Sequence, residues 1–229
     1  MRKVLIIIFF IIFVISNQSA YSKTNKNLTF NQRYLSNYFS ALLSYDNQKN
    51  DDALRFFQSS KPLLKKHDQF LKEYTFSLVL DGQVSRAIKQ IKLSKNEKNS
   101  NFFEAKLLIL LGNMVKKNFD QAALNLTDLE EYKEKDQIEF IIYKTIKSYY
   151  VLFSDGIIEE NSENLGKLDL INNAFQNCYL SSKQTDSHFI NLINSEEGNY
   201  SRYLFFYLSN MIENNDYKHT KEISSTINT

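Results

Sequence analysis

The chain has 229 residues, of which 43% are hydrophobic and 14% aromatic, and this is enough for one domain or one continuous repeat array. Five glycines and a single proline are too few for the many special turns of a β-sandwich or β-barrel. The 28 basic residues nearly balance the 26 acidic residues, so we expect no broad basic surface for nucleic acid.

The N-terminus has the pattern of a secretory signal peptide over residues 1–22. Two basic residues precede an apolar run at positions 4–15, which is shorter than the roughly 20 residues that a spanning helix needs. Small and polar residues follow, so we expect cleavage after Ala20 or Ser22. An uncleaved membrane anchor is the alternative, and it would be the protein's one contact with a membrane.

Export changes how the charges and the single cysteine are interpreted. Loss of Arg2 and Lys3 would leave 26 basic against 26 acidic residues. Cys178 cannot form an internal disulfide, and its apolar neighbours indicate a small buried residue rather than a reactive thiol. We therefore expect an exported protein without a nucleic-acid partner, which is periplasmic if the host is a Gram-negative bacterium.

The rest of the chain has the 3.6-residue hydrophobic period of helices, and no segment of useful length has the period of a strand. The first helix follows Leu28 and reaches Tyr45. Asn50 is the expected N-cap of the second helix, which should stop near Pro62. Asp68 is the expected N-cap of the third helix.

Four more helices are predicted from the same hydrophobic period. The third helix ends at Gly82, which suits the left-handed closing position, and the fourth contains Ala87. The fifth covers residues 102–117, the sixth follows Asn118, and Asp136 is the expected cap of the seventh. Helices of this length joined by short polar turns indicate an all-α antiparallel array.

A small residue returns at a nearly constant interval, because Ala87 stands 34 residues after Ala53 and Ala122 stands 35 residues after Ala87. The large residues four positions later are Phe57, Ile91 and Leu126. The turn residues five positions earlier are Gln48, Gly82 and Lys117. Two paired helices approach closely at a small residue, so we interpret Ala53 as a packing residue and the large residue as a filler between neighbouring pairs.

This interval resembles the tetratricopeptide repeat family, whose 34-residue helix–turn–helix unit has an alanine in its second helix and an aromatic residue one turn later. Ala53 with Phe57 matches best, whereas the tryptophan and the terminal proline of the family are missing. The resemblance implies three hairpins within residues 23–135. It further implies an all-α fold, a right-handed superhelical α-solenoid of about four to five antiparallel helix hairpins.

Residues 136–229 are predicted to complete the array with divergent hairpins. The spacing loosens after residue 135, and residues 155–200 are the region irregular enough to host an active site. The pattern returns near the C-terminus, where Thr220 stands in the position that Ala122 has in the third hairpin.

The sequence contains no catalytic, cofactor or metal motif. His67, His188 and His219 do not have metal-ligand spacing to one another or to Cys178, and no glycine-rich phosphate loop or G-x-S-x-G occurs. We therefore expect a protein that is not an enzyme and holds no cofactor and no metal. Two alternatives stay open: the helical accessory or catalytic part of an envelope glycan-active enzyme, and a structural subunit of an envelope complex.

In the tetratricopeptide family the first helices of successive units line a concave groove that holds segments of other proteins. The positions that match those of the family are Leu35, Tyr38, Tyr45, Gln69, Lys72, Glu104 and Leu107. We favour Tyr38 and Tyr45, because tyrosine combines rigid contact area with a hydrogen-bonding tip. The resemblance thus implies a scaffold in the cell envelope that binds a protein or peptide partner.

Overall fold

The computed structural model describes residues 31–94, 100–132, 138–159, 165–195 and 201–227. The predicted signal peptide and the predicted cap Asp136 lie outside these ranges. Within them every regular element is helical, which confirms the predicted all-α class. The chain divides into two compact units, Met1–Leu63 and Leu64–Thr229.

In its described residues, 31–63, the first unit contains one pair of α-helices. Helix α1 (Gln32–Asp46) packs against α2 (Asn50–Ser59), and a short 3-10 helix (Lys61–Leu63) follows. Because Pro62 lies inside that 3-10 helix, the predicted end of the second helix before it is confirmed.

The second unit contains nine α-helices in its described residues. They are α3 (Phe70–Leu80), α4 (Val84–Leu93), α5 (Phe103–Val115), α6 (Phe119–Asp128), α7 (Ile138–Asp155), α8 (Lys167–Tyr179), α9 (Thr185–Ile193), α10 (Leu204–Glu213) and α11 (Tyr217–Ile227). Each of these helices packs against the next one in the sequence. Since α8 and α9 occupy much of residues 155–200, the predicted irregularity of that region is wrong for residues 167–179 and 185–193.

Five helix pairs close with the same turn: α1–α2, α3–α4, α5–α6, α8–α9 and α10–α11. One residue in each turn has a left-handed backbone with φ between 51° and 75°; these residues are Gln48, Gly82, Lys117, Ser181 and Asn215. In each turn the left-handed residue donates its N–H to the carbonyl three residues earlier, and the next residue donates to the carbonyl five earlier, at 2.8–3.0 Å. This is the Schellman motif, which satisfies carbonyls that the end of a helix would leave without a partner.

The small residues of the repeat are fully buried, as the sequence predicts. Ala53, Ala87 and Ala122 are each 0% exposed. The large residues that follow them are also buried; they are Phe57, Ile91 and Leu126. Thr220 in the last pair is only half-buried, and its Oγ1 donates to the Asp216 carbonyl at 2.7 Å.

Two predicted helix caps are wrong. Helix α2 begins at Asn50 itself, and the preceding residue Lys49 makes no side-chain capping bond. Lys49 therefore occupies the cap position, and its N–H donates to the Ser44 carbonyl in the closing turn. Helix α3 begins at Phe70 rather than after Asp68, because the Phe70 N–H closes a backbone turn onto the His67 carbonyl at 3.1 Å.

The apolar core of the second unit includes two clusters. The first joins α5, α6 and α7 through Phe103, Leu110, Met114, Ala122, Leu126, Leu129 and Tyr143. The second joins α8, α9 and α10 through Ala174, Phe189, Leu192, Leu204, Tyr207 and Met211. The first cluster holds α5 and α6 together on one side, and this leaves their opposite sides available to form a groove.

Candidate functional site

Two of the predicted site residues lie next to each other in the second unit. The Lys72 Nζ on α3 is 3.0 Å from the Glu104 Oε1 on α5, and both side chains are about one-third exposed. The same Nζ lies 5.5 Å from the centre of the Phe76 ring and 5.8 Å from that of Phe102. Lys72 and Glu104 therefore link α3 to α5, and each partly neutralises the charge that the other would offer to a ligand.

The remaining second-unit predictions are Gln69 and Leu107, and neither takes part in that ion pair. Gln69 is the exposed residue immediately before α3. Leu107 packs against the cluster that joins α5, α6 and α7, so it contributes to the core rather than to an open surface.

The favoured tyrosines belong to the first unit. Tyr38 is only 3% exposed, and its ring centre lies 6.1 Å from that of Phe57 in an edge-on contact. Tyr45 and Leu35 are half-buried. Because little of the Tyr38 side chain reaches the surface, its ring stabilises the α1–α2 pair and offers almost no area to a partner.

A groove that the sequence did not predict lies in the second unit, with a volume of about 760 Å³. Helix α5 contributes the middle of its wall, the last turn of α4 borders one side, and α6 borders the other. The lining residues are Ile91, Lys92, Ser100, Asn101, Ala105, Lys106, Ile109, Asn113, Asn118, Gln121, Asn125 and Asp128.

Close approach of α4 and α5 beside this groove depends on a glycine. A Cβ atom at Gly112 would lie 2.6 Å from the Ile88 Cδ1, well inside van der Waals contact. The absence of a side chain at Gly112 therefore lets α4 pack tightly against α5, and this positions Ile91 and Lys92 at the rim of the groove.

Five of the lining residues carry side-chain amides: Asn101, Asn113, Asn118, Gln121 and Asn125. Asn113 Nδ2 donates to Asn125 Oδ1 at 2.7 Å and so joins α5 to α6. Asn118 ends the closing turn and accepts the Gln121 N–H at 3.4 Å, which orients it at the start of α6. A side-chain amide has two donor hydrogens and an acceptor oxygen, so these bonds use only part of the capacity of the five groups.

Lys106, one of the charged residues that line the groove, bonds to residues at the end of α6 and just beyond it. Lys106 Nζ donates to the Asp128 carbonyl at 3.2 Å and to the Glu131 carboxylate, and it lies 5.6 Å from the centre of the Tyr132 ring. The hydrogen bond from Lys106 holds the pKa of the Glu131 carboxyl below its usual value. Burial, followed by the nearby Glu131 charge, raises the pKa of Tyr132.

The described residues offer little reactive chemistry. Cys178 is half-buried against the cluster of α8, α9 and α10, and burial raises the pKa of its thiol, which disfavours the nucleophilic thiolate. Among the described residues no three His, Cys, Asp or Glu side chains are placed to hold a metal ion. None of the described helices is both long enough and apolar enough to cross a membrane.

Comparisons with protein-family models, with curated proteins and with solved structures find no match for this chain. One signal in the sequence points to the groove: Asn118, Gln121 and Asn125 are spaced as one face of α6, and Asn113 interrupts an otherwise apolar stretch of α5.

Proposed function

We propose that this protein is a non-catalytic scaffold that binds a segment of another protein, and that the amide-lined groove of α4, α5 and α6 is its binding site. The observation that carries the proposal is the groove itself: about 760 Å³, bordered by three helices and lined by five amide side chains. Pockets of this size are the default sites for ligands, and amides supply hydrogen bonds without a fixed charge.

The wider architecture in this proposal is a tetratricopeptide-like solenoid of helix hairpins. The repeated Schellman turn and the fully buried alanines at the matching positions support it. Arrays of this kind present extended surfaces to other proteins, and their function depends on groove contacts rather than on covalent chemistry.

A photo-crosslinking residue at position 121 tests the binding site. Gln121 is exposed and lines the groove, whereas Gln184 is equally exposed at the start of α9 and lies outside the groove residues. We expect a discrete protein adduct from position 121 in extracts of the native host and none from position 184. Equal labelling from the two positions, or none from position 121, would refute the groove as the site.

Export to the cell envelope is part of the same proposal, since the N-terminus has the pattern of a signal peptide. Mass spectrometry of the protein from its host would then find a chain that begins at residue 21 or 23. An intact N-terminus on protein recovered from the cytoplasm would contradict export.

A further inference from the structure

The amide groups of the groove leave hydrogen-bonding capacity toward its interior. Asn113 has a second N–H and its carbonyl oxygen, and Asn125 has both of its N–H groups, beyond the one bond that joins them. The side chains of Gln121 and Asn101 make no hydrogen bond to other described residues. The groove thus offers donors and acceptors in mixed order along one wall.

A mixed order of donors and acceptors matches one common chemical group, the peptide backbone. Every non-proline residue of an extended chain presents one N–H donor and one C=O acceptor. An amide side chain can pair with both, whereas a charged ligand would need a cluster of opposite charges. A base or sugar ring would be expected to stack on aromatic side chains, and the described residues that line the groove include none.

The wall of the groove sets a lower bound on the length of the ligand. Along α5 the lining residues run from Ala105 to Asn113, and at a rise of about 1.5 Å per residue this corresponds to roughly 12 Å. An extended chain advances about 3.3 Å per residue, so a bound segment would need at least about four residues to follow this wall.

Building on the proposed function, we propose that the occupant of the groove is an extended polypeptide segment of at least about four residues, held mainly through its main chain. The contacts come from the Asn113–Asn125 pair and from the side chains of Gln121 and Asn101. Recognition through the main chain makes the groove tolerant of the side chains of the segment, with the protein partner in an unfolded or extended state over that stretch.

The probe is an array of end-blocked hexapeptides of randomised sequence, each also synthesised with methyl groups on alternate backbone nitrogens. We expect the wild-type protein to bind many members of the array. Methylation should weaken binding by about tenfold or more, because it removes donors that the groove amides accept and adds bulk at the backbone.

A double variant, Asn113→Leu with Asn125→Leu, replaces the hydrogen-bonded pair by two apolar groups of similar shape. Because both partners are replaced together, the fold should be retained, which circular dichroism checks. We expect it to lose at least about tenfold in hexapeptide binding. The matched variant Gln184→Leu, which changes an exposed amide outside the groove, should bind like the wild type.

The outcomes separate this inference from the proposed function. Equal binding of methylated and unmethylated peptides, or unchanged binding by the folded double variant, would overturn main-chain recognition even where position 121 still crosslinks to a partner. If position 121 crosslinks to a protein that contains no hexapeptide segment able to bind, main-chain recognition would also be overturned. The scaffold proposal would stay intact in that case. Failure of both the crosslink and the array would remove the groove as a site altogether.

Discussion

The closing turns give the sharpest stability prediction, because only one of the five left-handed positions is a glycine. Lys117 has φ +55°, and its side chain is exposed and makes no hydrogen bond or ion pair with other described residues. A left-handed backbone costs a residue with a Cβ about 1–2 kcal/mol, whereas glycine adopts it freely. Glycine also gives the unfolded chain more conformational freedom, which lowers the free energy of unfolding by about 0.4–1 kcal/mol. Lys117→Gly should therefore stabilise the protein by about 0.5–1 kcal/mol.

Two further variants test the cost of the left-handed backbone. Gly82 has φ +75°, and a Cβ atom there would meet nothing within 4 Å, so Gly82→Ala changes the backbone preference without a clash. It should destabilise the protein by about the amount that Lys117→Gly gains. Lys116, the neighbouring C-cap residue with φ −82°, is the matched control: glycine there has no strain to relieve and should cost about 0.5–1 kcal/mol.

Urea unfolding followed by circular dichroism measures these differences, and melting temperatures should move by about 2–4 °C per kcal/mol for a chain of this size. The expected order of stability is Lys117→Gly, then wild type, then Gly82→Ala and Lys116→Gly. A destabilised Lys117→Gly, or a Gly82→Ala that unfolds like the wild type, would show that the left-handed turns do not limit the stability of the pairs.

Three further changes probe the packing and the titration of buried groups. Ala53→Leu places a large side chain at a fully buried contact and should cost about 1–3 kcal/mol; an unchanged melting temperature would contradict the close packing of α1 and α2. Gly112→Ala should stabilise the protein by about 1 kcal/mol in an Ile88→Val background and by less in the wild type, because valine lacks the Cδ1 that must move away from the new Cβ. Urea unfolding of the four proteins in this cycle measures the difference, and an equal effect in both backgrounds would contradict the contact. Burial, with Asp186 and Asp216 nearby, raises the pKa of Tyr207 in the folded protein. Because the folded protein favours the neutral hydroxyl, the free energy of unfolding keeps its full value below about pH 10 and falls as the pH rises further. Tyr207→Phe should reduce this alkaline loss, as measured by urea midpoints at pH 8 and pH 10.5, and an unaltered loss would mean that other tyrosines cause it.

Local chemistry made the helices predictable. Hydrophobic period identified most of the helices, and Pro62 and Gly82 marked their ends because each restricts the backbone in a way that few other residues do. The cap at Asn50 was misplaced for the same reason that Gln48 and Lys117 were not recognised as left-handed. A closing turn that passes directly into the next helix is held by backbone hydrogen bonds, and the sequence does not display those bonds. The cap at Asp68 was misplaced because of a different backbone bond, from the Phe70 N–H to the His67 carbonyl.

The repeat interval predicted which residues are equivalent, but equivalence does not determine what a residue contacts. Lys72 and Glu104 were both assigned to the first-helix surface, and the structure brings them to 3.0 Å as an ion pair. Tyr38 was assigned to the same surface by the same argument, yet it is buried. The difference lies in the direction of each side chain around its helix, which depends on where neighbouring helices pack.

The amide groove shows most clearly which contacts the sequence does not reveal. Asn113 and Asn125 lie twelve residues apart on helices of opposite direction, and their bond forms only because Ala122 and Leu126 bring α6 against α5. The sequence shows the polar face of α6 and the lone asparagine in α5, but not that they meet. A polar residue inside an apolar helix is costly unless it finds a partner, so Asn113 signals that some partner must exist. Asn125 pairs with one N–H of Asn113, and the other polar atoms of both amides line the groove, where a bound backbone could pair with them.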